Sequence, residues 1–313
     1  MPVRQPPVTD FAVRVLLDSI VDYAGLFPPA SVTMATAVRN FAHYRASESG
    51  WMLGRFICPA KALELFSAEA ELYLPRDAGA IAWHLSVTAS GDIETDMNAM
   101  TAFNARHRVC FDEYSVIADA YEVKANTAEE VDDIHTRVPV TLCTFIEVSL
   151  VDNPGPIVGA IARTGRRAKM RVGGITADAF PDSERIAQFL IACAHGGVVA
   201  KATAGLHHPL RDAYRLTYAD DAQQAVMYGY LNVFLATALV GSGASTRDVV
   251  AMLEERDASH ITFDATHCYW AGGSKPYALD RSFLAQMRDR GLVSFGSCSF
   301  TEPVVETRAL GWL

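Results

Sequence analysis

Short apolar runs alternate with stretches in which apolar residues recur every three or four positions, from about residue 52 to the end of the chain. A continuous apolar run of this length reads as a buried strand, and the longer period reads as an amphipathic helix. The pattern predicts strands over 52–58, 80–87, 118–123, 141–148, 168–172, 198–203, 260–264 and 292–300. Helices are predicted between them, centred on 60–71, 91–106, 127–137, 154–164, 183–195, 222–240 (with 245–256) and 279–290. Strands alternating with helices imply a parallel sheet, and eight of them predict an α/β fold closed into a (β/α)8 TIM-type barrel. A doubly wound open sheet is the alternative.

Two helices are expected ahead of this pattern. Asp10 is placed to cap the first, over 11–23, and the second runs from Thr33 to about residue 45. About a dozen residues remain after the last predicted strand, too few for another full helix, so the N-terminal helices are expected to fill that place in the outer ring. With no convincing linker or repeat, residues 1–313 form one barrel domain, and 1–50 is a helical extension packing on it. The rigid apolar segment 22–29, ending in Pro28-Pro29, is expected to rim or plug the barrel or to support a subunit contact. The stretch 228–239 is apolar nearly all round, which suits either deep packing or a homo-oligomer interface.

Barrel strands alternate between a face that meets the helices and a face that points inward. Over 168–172 the apolar set is Ala168, Met170 and Val172, which turns Lys169 and Arg171 inward. The same alternation groups Lys201 with Thr203 and places Glu147 with Thr141, Cys143 and Phe145. Arg55 falls opposite Phe56, His84 opposite Trp83, and Glu122 shares a face with Lys124. An unpaired interior charge costs several kcal/mol or shifts its pKa. Glu147, Lys169, Arg171 and Lys201 on three consecutive predicted strands therefore form either a closed ion network or a ligand site. Their places near C-terminal strand ends, where active sites of such barrels gather, favour the site.

The chemistry follows from spacing. Neighbouring strands lie about 4.8 Å apart, so Lys169 and Arg171 bring positive charge near Lys201. Cationic neighbours and partial burial lower a lysine pKa, and a neutral amine attacks a carbonyl to form a Schiff base. The expected roles are Lys201 as nucleophile, Lys169 as the group that tunes it, and Glu147 as proton carrier. Arg171 would anchor an anionic group, and Thr203 would hold a water or a substrate hydroxyl. Kept protonated, the same cations would grip a carboxylate or phosphate without chemistry. His207 and His208 follow the Lys201 strand, and one of the two is expected in the site, as acid/base or metal ligand. Gly173-Gly174 lets a ligand approach the backbone closely. Ser297, in the last strand, and the loop at Gly272-Gly273-Ser274-Lys275 fall where such barrels often bind phosphate. Arg55, His84 and Glu122 complete the expected substrate-binding set.

The stretch Val198-Val199-Ala200-Lys201-Ala202-Thr203-Ala204-Gly205 resembles the strand-six lysine segment of class I aldolase barrels. It is most similar to the Lys-Thr-Ser-Thr-Gly pattern of deoxyribose-phosphate aldolases. In that family the strand-six lysine forms the Schiff base, so the resemblance implies that role for Lys201. The family's second lysine comes after strand six, whereas here the second cation, Lys169, comes before the matched segment. The family's strand-three aspartate segment has no match, although Glu122 lies in that region.

The net charge, 27 − 36 = −9, argues against nonspecific nucleic-acid binding, which needs a cationic face. Half the residues are hydrophobic and 20% are charged, which excludes intrinsic disorder. The six cysteines contain no C-x-x-C pair. They read as buried small hydrophobes, Cys298 included, because no histidine is paired with it by spacing. With no signal-type run in residues 1–11 and no membrane-length apolar run, a cytoplasmic protein is expected. Dinucleotide, Walker A and G-x-S-x-G motifs are missing. The leading expectation is a lyase that needs no cofactor and acts on a small anionic carbonyl compound. One alternative is a divalent-metal-dependent isomerase or lyase using Glu122, Glu147, Asp264 and His208. The other is a non-catalytic anion-binding barrel.

Overall fold

A computed structural model of the chain describes residues 11–77, 79–110 and 113–313. At its centre is a closed barrel of eight parallel strands. In chain order these are β1 (Val21–Tyr23), β2 (Leu53–Pro59), β3 (Trp83–Thr88), β4 (Val116–Ala125), β5 (Cys143–Val148), β6 (Arg167–Arg171), β7 (Ala200–Thr203) and β8 (Leu292–Ser297). Each strand pairs with its neighbours in chain order, and β1 pairs with β8 to close the ring. Helices surround it, so the fold is the TIM-type (β/α)8 barrel.

The expected strands from 52 to 203, and the last one, are all barrel strands. The stretch 260–264 is not. Ile261–Phe263 pairs antiparallel with His267–Trp270, which pairs in turn with Tyr277–Asp280, outside the barrel. The missing stave is β1, inside the region expected to be a helical extension. The first helix is only Val13–Leu17, and the backbone turns at Ser19 (φ 49°) before Val21, Asp22 and Tyr23 enter the sheet, all buried. Three residues are too few to display a strand period, and the apolar spacing before them suits a helix. Asp10, expected as a cap, lies outside the described residues, as does most of the N-terminal run read for a leader.

The second N-terminal helix, Met34–Ala46, begins where expected, with Thr33 Oγ1 accepting from the Thr36 N–H. Phe41 on that helix, Phe56 on β2, Phe66 on the next helix (Leu63–Ala70) and Trp83 on β3 meet edge to face between barrel and helices. Each is fully or nearly fully buried, a contribution on the order of 2 to 3 kcal/mol per ring. The segment expected to open a helix at 222 instead forms a hairpin, Asp212–Arg215 against Gln224–Met227. The apolar helix that follows, Tyr230–Gly241, is buried on nearly all sides within the single chain, which accounts for its composition without a subunit contact. A last helix, Thr301–Ala309, does fit after β8. No helix among the described residues is long and apolar enough to cross a membrane.

Candidate active site

The inward charges form one connected ladder. Lys201 Nζ on β7 lies 2.5 Å from Asp22 Oδ2 on β1 and 2.8 Å from Glu122 Oε1 on β4. The other Glu122 oxygen accepts from Lys169 Nζ on β6 at 2.8 Å, and Lys169 also lies 2.8 Å from Glu147 Oε2 on β5. Hydroxyls occupy the remaining lone pairs. Ser86 donates to Glu122 at 2.6 Å and Ser294 to Asp22 at 2.7 Å, while the Arg55 backbone N–H donates to the other Asp22 oxygen. The register pairs Lys169 directly with Lys201 and Glu147 with Lys169. Strand pleating therefore turns all three side chains to the same interior face.

The two lysines differ in depth. Lys201 has no exposed surface and packs with its ammonium 5.2 Å from the Phe145 ring centre. Lys169 and Glu122 reach the floor of a cavity of about 300 Å3. That cavity opens at the C-terminal strand ends, walled by Thr88, Thr203 and Gly296 from β3, β7 and β8 and by the Phe27-Pro28-Pro29 segment. The 22–29 region thus supplies both a stave and part of the rim. Gly173 and Gly205 let two loops touch here: a Cβ on Gly173 would stand 2.5 Å from the Phe180 ring and 2.9 Å from Gly205 Cα. The glycine pair serves loop packing at Gly173, and Gly174 faces the cavity.

Electrostatics corrects one expectation. Burial would push both lysine pKa values down, but the carboxylates outweigh it. Lys169 is raised by Glu122 and Glu147, and Lys201 by Asp22 and Glu122. Burial would likewise push the Glu122 carboxyl up, yet the two ammonium groups hold it well below the usual carboxylate range. Cationic neighbours were expected to dominate. Opposite charges at 2.5–2.8 Å win because they are closer.

The remaining candidates divide. Arg171 and Thr203 line the cavity, and Arg171 has no ion-pair partner among the described residues. His207 lies in its wall, 12% exposed, with Nδ1 3.2 Å from Ser297 Oγ and 3.4 Å from Glu302 Oε2. Ser297 therefore supports His207 instead of meeting a ligand. Arg55 and His84 sit at the opposite, N-terminal mouth, both held by Asp119. His208 pairs with Glu306 at 2.8 Å and stacks on Tyr214. Asp264 accepts from the Thr266 and His267 backbone and from Tyr269, away from the cavity. Glu122, Glu147, Asp264 and His208 are thus not brought together, and among the described residues no group of three or more His, Cys, Asp or Glu side chains is arranged to hold a metal ion. The Gly272-Gly273-Ser274 loop packs on Trp270 and caps Asp248, so its turn is structural.

Sequence reasoning missed Asp22, Ser86, Ser294, Glu302 and Tyr218, and it set Cys298 aside. Asp22 did carry a signal, as the one charge in the apolar run from Ile20 to Phe27. Compared with family models, curated proteins and solved structures, the chain matches none.

Proposed function

We propose that the cavity is the active site of a carbon–carbon lyase that acts on a small anionic carbonyl compound through an imine on Lys169. The carrying observation is depth. Lys169 Nζ stands at the cavity floor between two carboxylates, while Lys201 lies beneath it with no exposed surface. Strand number supports the same shift. In the aldolases that the Lys201 segment resembles, the imine lysine is on strand six and the second lysine follows. Here β6 carries Lys169 and β7 carries Lys201.

Lys169 rests as an ammonium. As substrate displaces water, its proton passes to Glu147 at 2.8 Å, and the loss of water favours the neutral pair over the ion pair. The free amine attacks the carbonyl carbon, forming a C–N bond while the carbonyl π electrons move to oxygen. Glu147 returns the proton to that oxygen and then relays a second one to it from the carbinolamine nitrogen, so that the oxygen leaves as water and the nitrogen lone pair closes the iminium. The β-hydroxyl of the substrate gives up its proton, the adjacent C–C bond breaks, and its electrons enter the iminium to form an enamine. Glu147, a carboxylate again once water has left, takes that hydroxyl proton. Protonation of the enamine and hydrolysis release the second fragment. Arg171 anchors the anionic group, and Lys201 holds Asp22 and Glu122 in place. Cys58, Cys143, Cys193, Cys268 and Cys298 carry free thiols, which supports a reducing, cytoplasmic setting.

The test is borohydride reduction with a panel of small aldehydes and keto acids, read by peptide mass spectrometry. One reduced adduct on Lys169, absent in Lys169→Met, is expected. An adduct on Lys201, or none across the panel, overturns the proposal. A second reading, a non-catalytic anion-binding barrel, draws support from the full pairing of both ammonium groups. It prevails if anions bind, no adduct forms and Glu147→Gln leaves the binding unchanged.

A further inference from the structure

Four chain segments converge on the cavity wall opposite Lys169. The chain leaves β8 at Ser297-Cys298. The helix Thr301–Ala309 begins just beyond and carries Glu302, the loop after β7 brings His207, and the turn of the 212–227 hairpin brings Tyr218. Cys298 Sγ lies 3.9 Å from His207 Nδ1 and 3.5 Å from the Tyr218 hydroxyl. Tyr218 donates to Glu302 Oε2 at 3.1 Å, and the same oxygen lies 3.4 Å from His207 Nδ1. All four side chains line the cavity. We infer that Cys298 is a modification site, a nucleophilic thiol that takes up small thiol-reactive compounds, low-molecular-weight disulfides in particular, from the cavity.

The thiolate is the reactive form of cysteine, and it needs donors. An imidazolium N–H faces this sulfur, and the Tyr218 hydroxyl, 3.5 Å away, can rotate its O–H from Glu302 to a thiolate. Burial would lower the His207 pKa, but hydrogen bonds to Cys298 and Glu302 outweigh it and raise it to about 9, so the ring carries its proton at neutral pH. The buried thiols of Cys58, Cys193 and Cys268 have no such partners among the described residues, and burial pushes their pKa values up. In the exchange the Cys298 thiolate attacks one sulfur of the disulfide. A new S–S bond forms, the old one breaks, and the second half leaves as a thiolate with the electron pair. The retained half occupies the cavity. None of this requires the imine reading.

The experiment uses methyl methanethiosulfonate on the folded protein, with labelling of each cysteine followed by peptide mass spectrometry. The reagent transfers a methylthio group and releases methanesulfinate. Cys298 is expected to react about tenfold or more faster than Cys58, Cys193 and Cys268. His207→Asn should slow Cys298 about tenfold, and Tyr218→Phe by a smaller factor, while exposed Cys110 keeps its rate. Circular dichroism checks that each variant is folded. The proposal is overturned if Cys298 reacts no faster than the three buried thiols, or if both folded variants leave its rate unchanged.

Discussion

The two mouths of the barrel hold inward charges of the same kinds and differ in what those charges do. At the N-terminal mouth Arg55 grips both oxygens of Asp119, at 3.1 and 2.9 Å, and His84 takes the same carboxylate at 2.9 Å. Arg288 donates to the carbonyls of Asp18, Leu292 and Val293, and Arg167 lies over the Phe145 ring. That mouth also holds a cavity, of about 390 Å3, but its arginines are spent on fixed partners. At the C-terminal mouth Lys169 stands on the floor of the smaller cavity, and neither Arg171 nor Arg215 has an ion-pair partner among the described residues. An inward charge is therefore not by itself a functional signal. The signal is a charge whose remaining hydrogen-bonding capacity faces an open space.

The largest effect that would sharpen this contrast is on trapping. Lys169→Met should cut borohydride adduct formation by roughly three orders of magnitude or more. Arg55→Met should leave it within about twofold, because Arg55 acts only at the far mouth. If the two variants lose trapping equally, the contrast between the mouths fails. Stability should separate the ends as well. Lys201→Met strips the ammonium from two buried carboxylates and should cost about 3 to 5 kcal/mol in urea unfolding. The same measurement on Arg55→Met, whose ion pair is about a third exposed, should cost only about 1 kcal/mol.

Smaller effects follow with pH. Glu122 is depressed in the folded chain, so its contribution is complete above its ordinary value of 4.5 and is lost as pH falls below it. His207 runs the other way. Raised from 6.5 to about 9, it contributes fully below 6.5 and loses that contribution as pH rises through about 9. Melting temperature followed from pH 5 to 10 should therefore fall on the alkaline side, and His207→Asn should flatten that limb. An unchanged alkaline limb would mean that His207 is not held as a cation in the folded chain. Last, Arg171→Ala should weaken binding of small carboxylates about tenfold in calorimetry, and Arg171→Lys should recover part of it. No change would remove Arg171 from the proposed anion site.

The barrel, seven of its eight strands and the inward direction of Glu147, Lys169, Arg171 and Lys201 were legible in the sequence, whereas β1 was not and the expected strand 260–264 lies outside the barrel. Each depends on the period of local structure, which the order of residues determines within a few positions. What Lys201 meets was not legible. Its partner Asp22 lies 179 positions away on a three-residue strand that carries no period of its own. The direction of the Lys201 pKa shift was decided with it. Cys298 read as an inert buried thiol for the same reason, because His207, 91 positions earlier, meets it only after β7 and β8 are paired. The chain by itself determined which side chains turn inward. Ring closure by β1 and the register of the strands decided which carboxylate faces which ammonium, how deep each lysine lies and which mouth stays open. Pleating is local, and pairing across a closed barrel is not.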